Sequence, residues 1–260
     1  MKKWLFYVLL CGFTVTFLIS AVYLASVLLE AQRSKKGFED LADIRQQVLA
    51  TMPQEEEPVQ NPTEETPTEP GILPELQALY EQNQDLAGWL SIPAINVDYP
   101  VMHAPDRKNY YLYRDFQGEN NSHGSLYIWE EADLQTPSMA LTVFGHHMKN
   151  GTMFGDLKKF QKKSFWEENQ TFTLTSLYER REYRIFAVLV TTTTIGKAFN
   201  YHSFTGGTQE EYEEMVNKFK GYSLFETGIT PEYGDEIVCL STCDYSITNG
   251  RLVVVAVREK

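Results

Sequence analysis

Cysteine is scarce in this chain: 260 residues carry three, at Cys11, Cys239 and Cys243. That scarcity excludes a scaffold built on disulfides. Cys11 lies in an apolar run, which leaves two cysteines for the folded part. If the stretch between Cys239 and Cys243 is extended, their Cα atoms stand ~13 Å apart, beyond the ~7 Å ceiling for a bridge. No C-x-x-C pair occurs, and no second Cys/His pair stands at ligand spacing, so no metal site is expected and no cofactor is called for. Basic charge is short as well. Lys and Arg number 23 against 35 Asp and Glu, a net charge of −12. Without a Lys/Arg stripe interleaved with aromatics, attraction to a phosphate backbone has no source, and nucleic acid is excluded as a partner. The cluster Lys158, Lys159, Lys162 and Lys163 reads as a solvated helix face. No internal repeat is present.

Charge of either sign is missing from Trp4 to Leu29, 26 residues, where about 20 suffice to span the hydrocarbon of a bilayer. Signal-peptide cores run ~7–15 apolar residues, and no A-x-A site closes this one, so a retained single-pass anchor is expected. Lys2 and Lys3 on one flank oppose Arg33, Lys35 and Lys36 on the other, so charge counting alone does not orient it. The N-terminus is read as cytoplasmic, because the acidic tract and the domain that follow are then exported. Residues 51–70, TMPQEEEPVQNPTEETPTEP, hold five prolines, six glutamates and no basic residue; such a stretch cannot bury apolar surface and reads as an extended, self-repelling tether. The chain therefore divides into a cytoplasmic tip (1–3), a transmembrane anchor (4–29), a juxtamembrane segment with an acidic linker (30–70) and a globular domain (71–260).

Pro74 opens a helical phrase, PELQALYEQNQDLAGW, with Leu76, Leu79, Tyr80 and Leu86 as its buried face. Beyond Trp89 the chain reads as short strands near 97–102, 125–129, 141–144, 171–177, 183–192, 236–242 and 251–257. β-Branched and aromatic enrichment between Gly, Asn, Asp and Pro punctuation argues a mainly antiparallel barrel or sandwich. One helix interrupts the strands. Thr208 and Glu211 form a T-x-x-E capping box, and Tyr212, Met215, Val216 and Phe219 follow at helical spacing over 208–220.

Two segments carry chemistry: VFGHHMKNG, 143–151, and LSTCDYSITNGR, 240–251. Each sits where a strand runs into a loop, where a rigid scaffold can present reactive groups. A thiol, an imidazole and an arginine on an exported chain are the parts of thiol-mediated acyl transfer. A secreted papain-like cysteine peptidase uses the same pair, although it places its nucleophile early and at the start of a helix. A non-enzymatic β-rich surface or adhesion module held by the anchor is the other reading; a module itself sorted to the wall should end in a sorting motif, an apolar span and basic residues, and VVVAVREK is too short for that.

LSTC resembles the L-x-T-C signature around the nucleophile of sortases, FGHHM resembles the sortase segment with glycine before the catalytic histidine, and GR of NGRLVVVAV falls where sortases carry their essential arginine. DLAGWLSIPAINVDYPVM, NYYLYRDFQGENNSHGSLYIW and FGHHMKNGTMFGDLKKF are similar to class B sortase sequence, and the likeness runs from about Leu73 to Val257. The resemblance implies a closed eight-stranded β-barrel with an N-terminal helical extension and a helix inserted before the cysteine strand. It also implies a Gram-positive cell-membrane transpeptidase with its catalytic domain on the extracellular face. Cys243 would be the nucleophile, His146 the acid and base, and Arg251 the oxyanion and backbone donor. Leu112 and Ser241 match positions that contact the sorting peptide, and Thr242 and Asp244 flank the nucleophile as further substrate-side residues. The implied partners are surface proteins with an NPQTN-like or P-x-T sorting signal, and an amine such as the peptidoglycan cross-bridge on lipid II or a pilin lysine. Class B members commonly read Y-G-H-N where this chain has Phe144, Gly145, His146 and His147. Neighbouring strand residues point to opposite faces, so one imidazole of the two can face Cys243, and the position after Gly145 selects His146. Cys239 shares strand parity with Cys243 but lies inside EIVCL and reads as core.

Overall fold

The computed structural model describes residues 3–52, 71–134, 140–194, 196, 199, 201–202 and 207–260. Its strands are β1 (Leu86–Ile92), β2 (Val97–Met102), β3 (Leu126–Ile128), β4 (Ala140–Phe144), β5 (Thr171–Ser176), β6 (Arg180–Thr192), β7 (Ile237–Asp244) and β8 (Gly250–Arg258). They close into a barrel in the order β1-β2-β3-β4-β7-β8-β6-β5. The closed eight-stranded barrel is therefore the fold, and the sandwich alternative falls away. β2–β3 and β4–β7 run parallel, and the other neighbours run antiparallel. Closure pairs every strand on both sides and leaves no open sheet edge.

Strand alternation sorts the side chains into two layers. On β7 and β8, Val238, Leu240, Leu252, Val254 and Ala256 join the cluster that fills the barrel. Ile237, Cys239, Val253, Val255 and Val257 face the other way and pack under a helix. That helix, Gln209–Tyr222, starts with the predicted capping box between Thr208 and Glu211 and buries Tyr212, Met215, Val216 and Phe219. It is α4 in chain order, after α1 (Lys3–Thr51), α2 (Pro74–Gln82) and α3 (Lys163–Glu168).

The helical phrase expected to run to Trp89 stops at Gln82. Asn83 ends it: its side chain bonds the Tyr111 hydroxyl and the Phe116 carbonyl and accepts the Asp85 amide N–H, the local competition by which Asn favours turns over helix. Leu76 and Leu79 are buried on α2 as read, and Tyr80 is half-buried. Leu86 is buried too, but as the first residue of β1.

α1 is long and apolar enough to cross a membrane, and its first half is exposed. It continues past Leu29 without a break. Ser34, Phe38, Leu41 and Arg45 recur at helical spacing and are buried, the pattern of a helix with one face docked. Phe38 meets Tyr99 edge-to-face with ring centroids 5.2 Å apart. Arg45 lies 3.8 Å from Asp98 and over the Trp89 ring, so a buried cation has both a counter-charge and an aromatic face. Packing of the fold thus begins before Gly71. The acidic tether expected over 51–70 lies outside the described residues beyond Met52.

Cys239 has no exposed surface. Burial pushes its thiol pKa well up, so it stays protonated. Replacing Cys239 by Ala removes one buried sulfur, and a loss of about 1 kcal/mol is expected from the small cavity. For a chain of this size that lowers the melting temperature by about 2–4 °C. Thermal unfolding followed by circular dichroism checks it, and an unchanged midpoint would show that the site collapses without cost.

Candidate active site

The outward series of β7 runs Ile237, Cys239, Ser241, Cys243. Its lower part is covered by the cluster under α4, and Cys243 is the first of the series to be only half-buried. Directly opposite it in the β7–β8 ladder stands Arg251. Residues paired across antiparallel strands project to the same face with Cβ atoms roughly 4.5–5.5 Å apart, so the thiol and the guanidinium leave the barrel side by side. Arg251 donates from Nη1 to the Gly250 carbonyl at 2.9 Å. Among the described residues it makes no salt bridge, and its remaining N–H donors are uncommitted to carboxylate.

β4 supplies the histidines. It runs parallel to β7 with Phe144 beside Ser241, and the pairing continues past the strand end: the Gly145 N–H donates to the Ser241 carbonyl at 3.1 Å, and the Thr242 hydroxyl donates to the Gly145 carbonyl at 2.8 Å. That register, extended by two residues, would bring His146 level with Cys243. Gly145 points to the barrel interior, where a Cβ would fall 2.5 Å from Leu126 and 2.7 Å from Phe154. Only glycine fits the close approach, which gives a packing reason for glycine before the histidine. His146 is half-buried, with Nε2 2.7 Å from the Leu112 carbonyl oxygen and its ring 5.4 Å from that of Tyr113. His147 is committed elsewhere: its Nδ1 donates to the backbone carbonyl of Cys243 at 2.8 Å, and its ring lies 5.2 Å from that of Tyr245.

The remaining residues singled out from the sequence sit around this group in different ways. Ser241 is fully buried, and its hydroxyl is 2.7 Å from that of Tyr201. Thr242 alternates with Cys243, faces inward and ties β7 to the Gly145 carbonyl. The Leu112 side chain packs half-buried against the barrel core while its carbonyl meets His146. Asp244 is buried and accepts from the Gln161 amide at 3.0 Å, from the Ser246 N–H at 2.8 Å and from the Ser246 hydroxyl. Burial opposes its charge, but the Ser246 hydroxyl and amide, Gln161 and nearby His147 outweigh it and hold the carboxyl below the usual range.

Sequence reading missed Tyr201, Gln161 and Tyr127. Burial pushes the Tyr201 phenol up to about 12, with Ser241 and Arg251 acting the other way. Burial likewise raises Tyr127, with Arg251 and Cys243 among the charges it senses. Tyrosines number 15 in this chain, and nothing local distinguishes these two. Of the histidines outside the 143–151 segment, His103 and His202 are half-buried, and burial lowers their pKa values. His123 is buried, and burial lowers its pKa, with Glu30 acting the other way and His146 adding to the effect.

Residues 90–259 match the sortase domain family. Sortase B of Listeria monocytogenes is 32% identical over 185 residues, covering 70% of this chain and 73% of that protein. Sortase B of Staphylococcus aureus is 28% identical over 187 residues, 71% of this chain and 75% of that one. Among solved structures, sortase B from B. anthracis in complex with AAEK1 superposes with a TM-score of 0.71 at 28% identity, covering 90% of this chain and 99% of the other. With the closed barrel and the Cys243–Arg251 pair on one face, these likenesses show that the chain belongs to the sortase family and is a class B sortase, a cysteine transpeptidase.

Proposed function

We propose that Cys243, His146 and Arg251 carry the transpeptidation, and that the chain works as a single-pass membrane enzyme. The observation that supports this most is the direct cross-strand pairing of Cys243 with Arg251 on a half-exposed face. The Cys243 thiolate attacks the threonine carbonyl carbon of a C-terminal sorting signal. The carbonyl π pair moves to oxygen, and the Arg251 guanidinium, with N–H donors at that face, stabilises the oxyanion and holds the peptide backbone. As the oxyanion collapses, the C–N bond breaks, His146 protonates the leaving amine, and a thioester remains. An incoming amine then gives up a proton to His146, attacks the thioester and releases the thiolate.

Sortases act on surface proteins that carry sorting signals; for this chain an NPQTN-like or P-x-T signal is proposed, with a peptidoglycan cross-bridge amine on lipid II as acceptor and a pilin lysine as the alternative. Residues 4–29 are proposed to span the cell membrane with 1–3 inside, 30–70 leading away from it and 71–260 as the catalytic domain outside. The apolar, exposed first half of α1 supports the span. Because α1 also packs on the barrel, the full chain in detergent is the right material for assay.

Cys243→Ala should abolish both peptide cleavage and the acyl-enzyme seen by mass spectrometry. Cleavage that persists in this variant would exclude Cys243 as the nucleophile, and cleavage by the native chain without transfer to an added amine would favour a hydrolase. His146→Ala should lose transfer, whereas His147→Asn should keep it, since a proton donor must lie within about 3 Å of the leaving nitrogen or one water away. The reverse pattern, with folding checked by circular dichroism, would move the assignment to His147. Arg251→Lys keeps the charge but loses the planar fork, and kcat/KM should fall at least about tenfold, about 1.4 kcal/mol of transition-state stabilisation; near-normal turnover would point to another oxyanion donor.

A further inference from the structure

An imidazole that passes a proton in one direction and then the other needs a fixed ring orientation and a defined tautomer. Carboxylates often supply both. At His146 the partner is a main-chain group instead, the Leu112 carbonyl oxygen 2.7 Å from Nε2. A carbonyl oxygen can only accept, so Nε2 carries the hydrogen and Nδ1 is the atom left to exchange protons with substrate.

The Leu112 carbonyl is itself held by a turn. Residues Tyr110–Tyr113 form a 3-10 turn after Asn109, which has φ 51°. The segment 121–125 folds against it: the Asn121 N–H donates to the Tyr113 carbonyl at 3.0 Å, the Ser125 N–H donates to the Tyr111 carbonyl at 3.0 Å, and the Gly124 N–H closes the turn on the Asn121 carbonyl at 3.1 Å. Asn121 is buried, and its side chain accepts the His123 N–H at 2.9 Å. Gly124 has φ 60°, and a Cβ there would collide with the Leu112 carbonyl oxygen and lie 2.8 Å from that of Tyr111. A residue with a side chain would displace the very oxygen on which His146 rests.

We propose that Gly124 is a positioning residue of this transpeptidase: its bare Cα lets the 121–125 turn seat the Leu112 carbonyl, which fixes the ring and the Nε2–H tautomer of His146. This inference rests on His146 being the acid and base. The far side of the turn is tied to α1, where Glu30 accepts the Ser122 N–H at 2.8 Å, so the anchor helix and the histidine share one support.

The test uses the full chain in detergent, 15N-labelled at histidine. At a pH where the ring is neutral, its nitrogen shifts should report protonation at Nε2; protonation at Nδ1 overturns the proposal before any variant is made. Gly124→Ala should shift that signature toward Nδ1 or an average of the two. It should also lower kcat by about tenfold or more with KM changed less than twofold, as expected for a misplaced reacting group. Asn121→Ala loosens the turn without setting an atom against the carbonyl, and should move both readouts the same way by less. It carries the test if Gly124→Ala does not fold. Unchanged kcat and tautomer in the folded variants overturn the proposal while His146→Ala remains inactive. Transfer surviving in His146→Ala would sink the acid–base assignment instead, whatever the tautomer.

Discussion

The site depends on the two pairings of strand β7. It runs parallel to β4 and antiparallel to β8. Two parallel neighbours end at the same rim, so the segment leaving β4 and the cysteine one residue before the end of β7 emerge together. An antiparallel neighbour starts where its partner stops, so the first residues of β8 deliver Arg251 to that rim. Chain direction alone thus gathers residues that are far apart in sequence. Because the barrel is closed, neither pairing can slip without moving every side chain of β7 to the opposite layer.

Much of this was legible beforehand, for identifiable reasons. The strands from β2 to β8 are rich in β-branched and aromatic residues, and α4 announces itself with Thr208, Glu211 and a helical apolar face. β1 was hidden because LAGWLSI follows a helical phrase and extends its apolar spacing; the interruption at Asn83 is a tertiary contact with Tyr111 and Phe116. The docked half of α1 was hidden for the converse reason. Its buried positions include Ser34 and Arg45, polar residues that look solvent-facing in sequence; Asp98 and Trp89 meet Arg45 only in the folded chain.

At the proposed site, Cys243, Arg251 and the Gly145–His146 pair could be nominated from sequence because each lies in a motif-like segment. Their supports could not, since so many are main-chain atoms. The Leu112 carbonyl meets His146, the Cys243 carbonyl meets His147, the Gly145 carbonyl meets Thr242 and the Gly250 carbonyl meets Arg251. A peptide oxygen is present at every residue, and sequence carries no mark of which one is used. What sequence can carry is the glycine that lets such an oxygen come close.

The contact between Glu30 and Ser122 has a spatial corollary. Glu30 is the first charge after the apolar run, and Arg45, where the helix grips Trp89, lies about 22 Å further along the axis at 1.5 Å per residue. If residues 4–29 span the bilayer as proposed, the Glu30–Ser122 contact would hold that end of the barrel near the headgroups. The enzyme would then have a short working height. Donor and acceptor would meet it by drifting sideways within the plane of the membrane, a two-dimensional search in which density per area, rather than bulk concentration, sets the encounter rate.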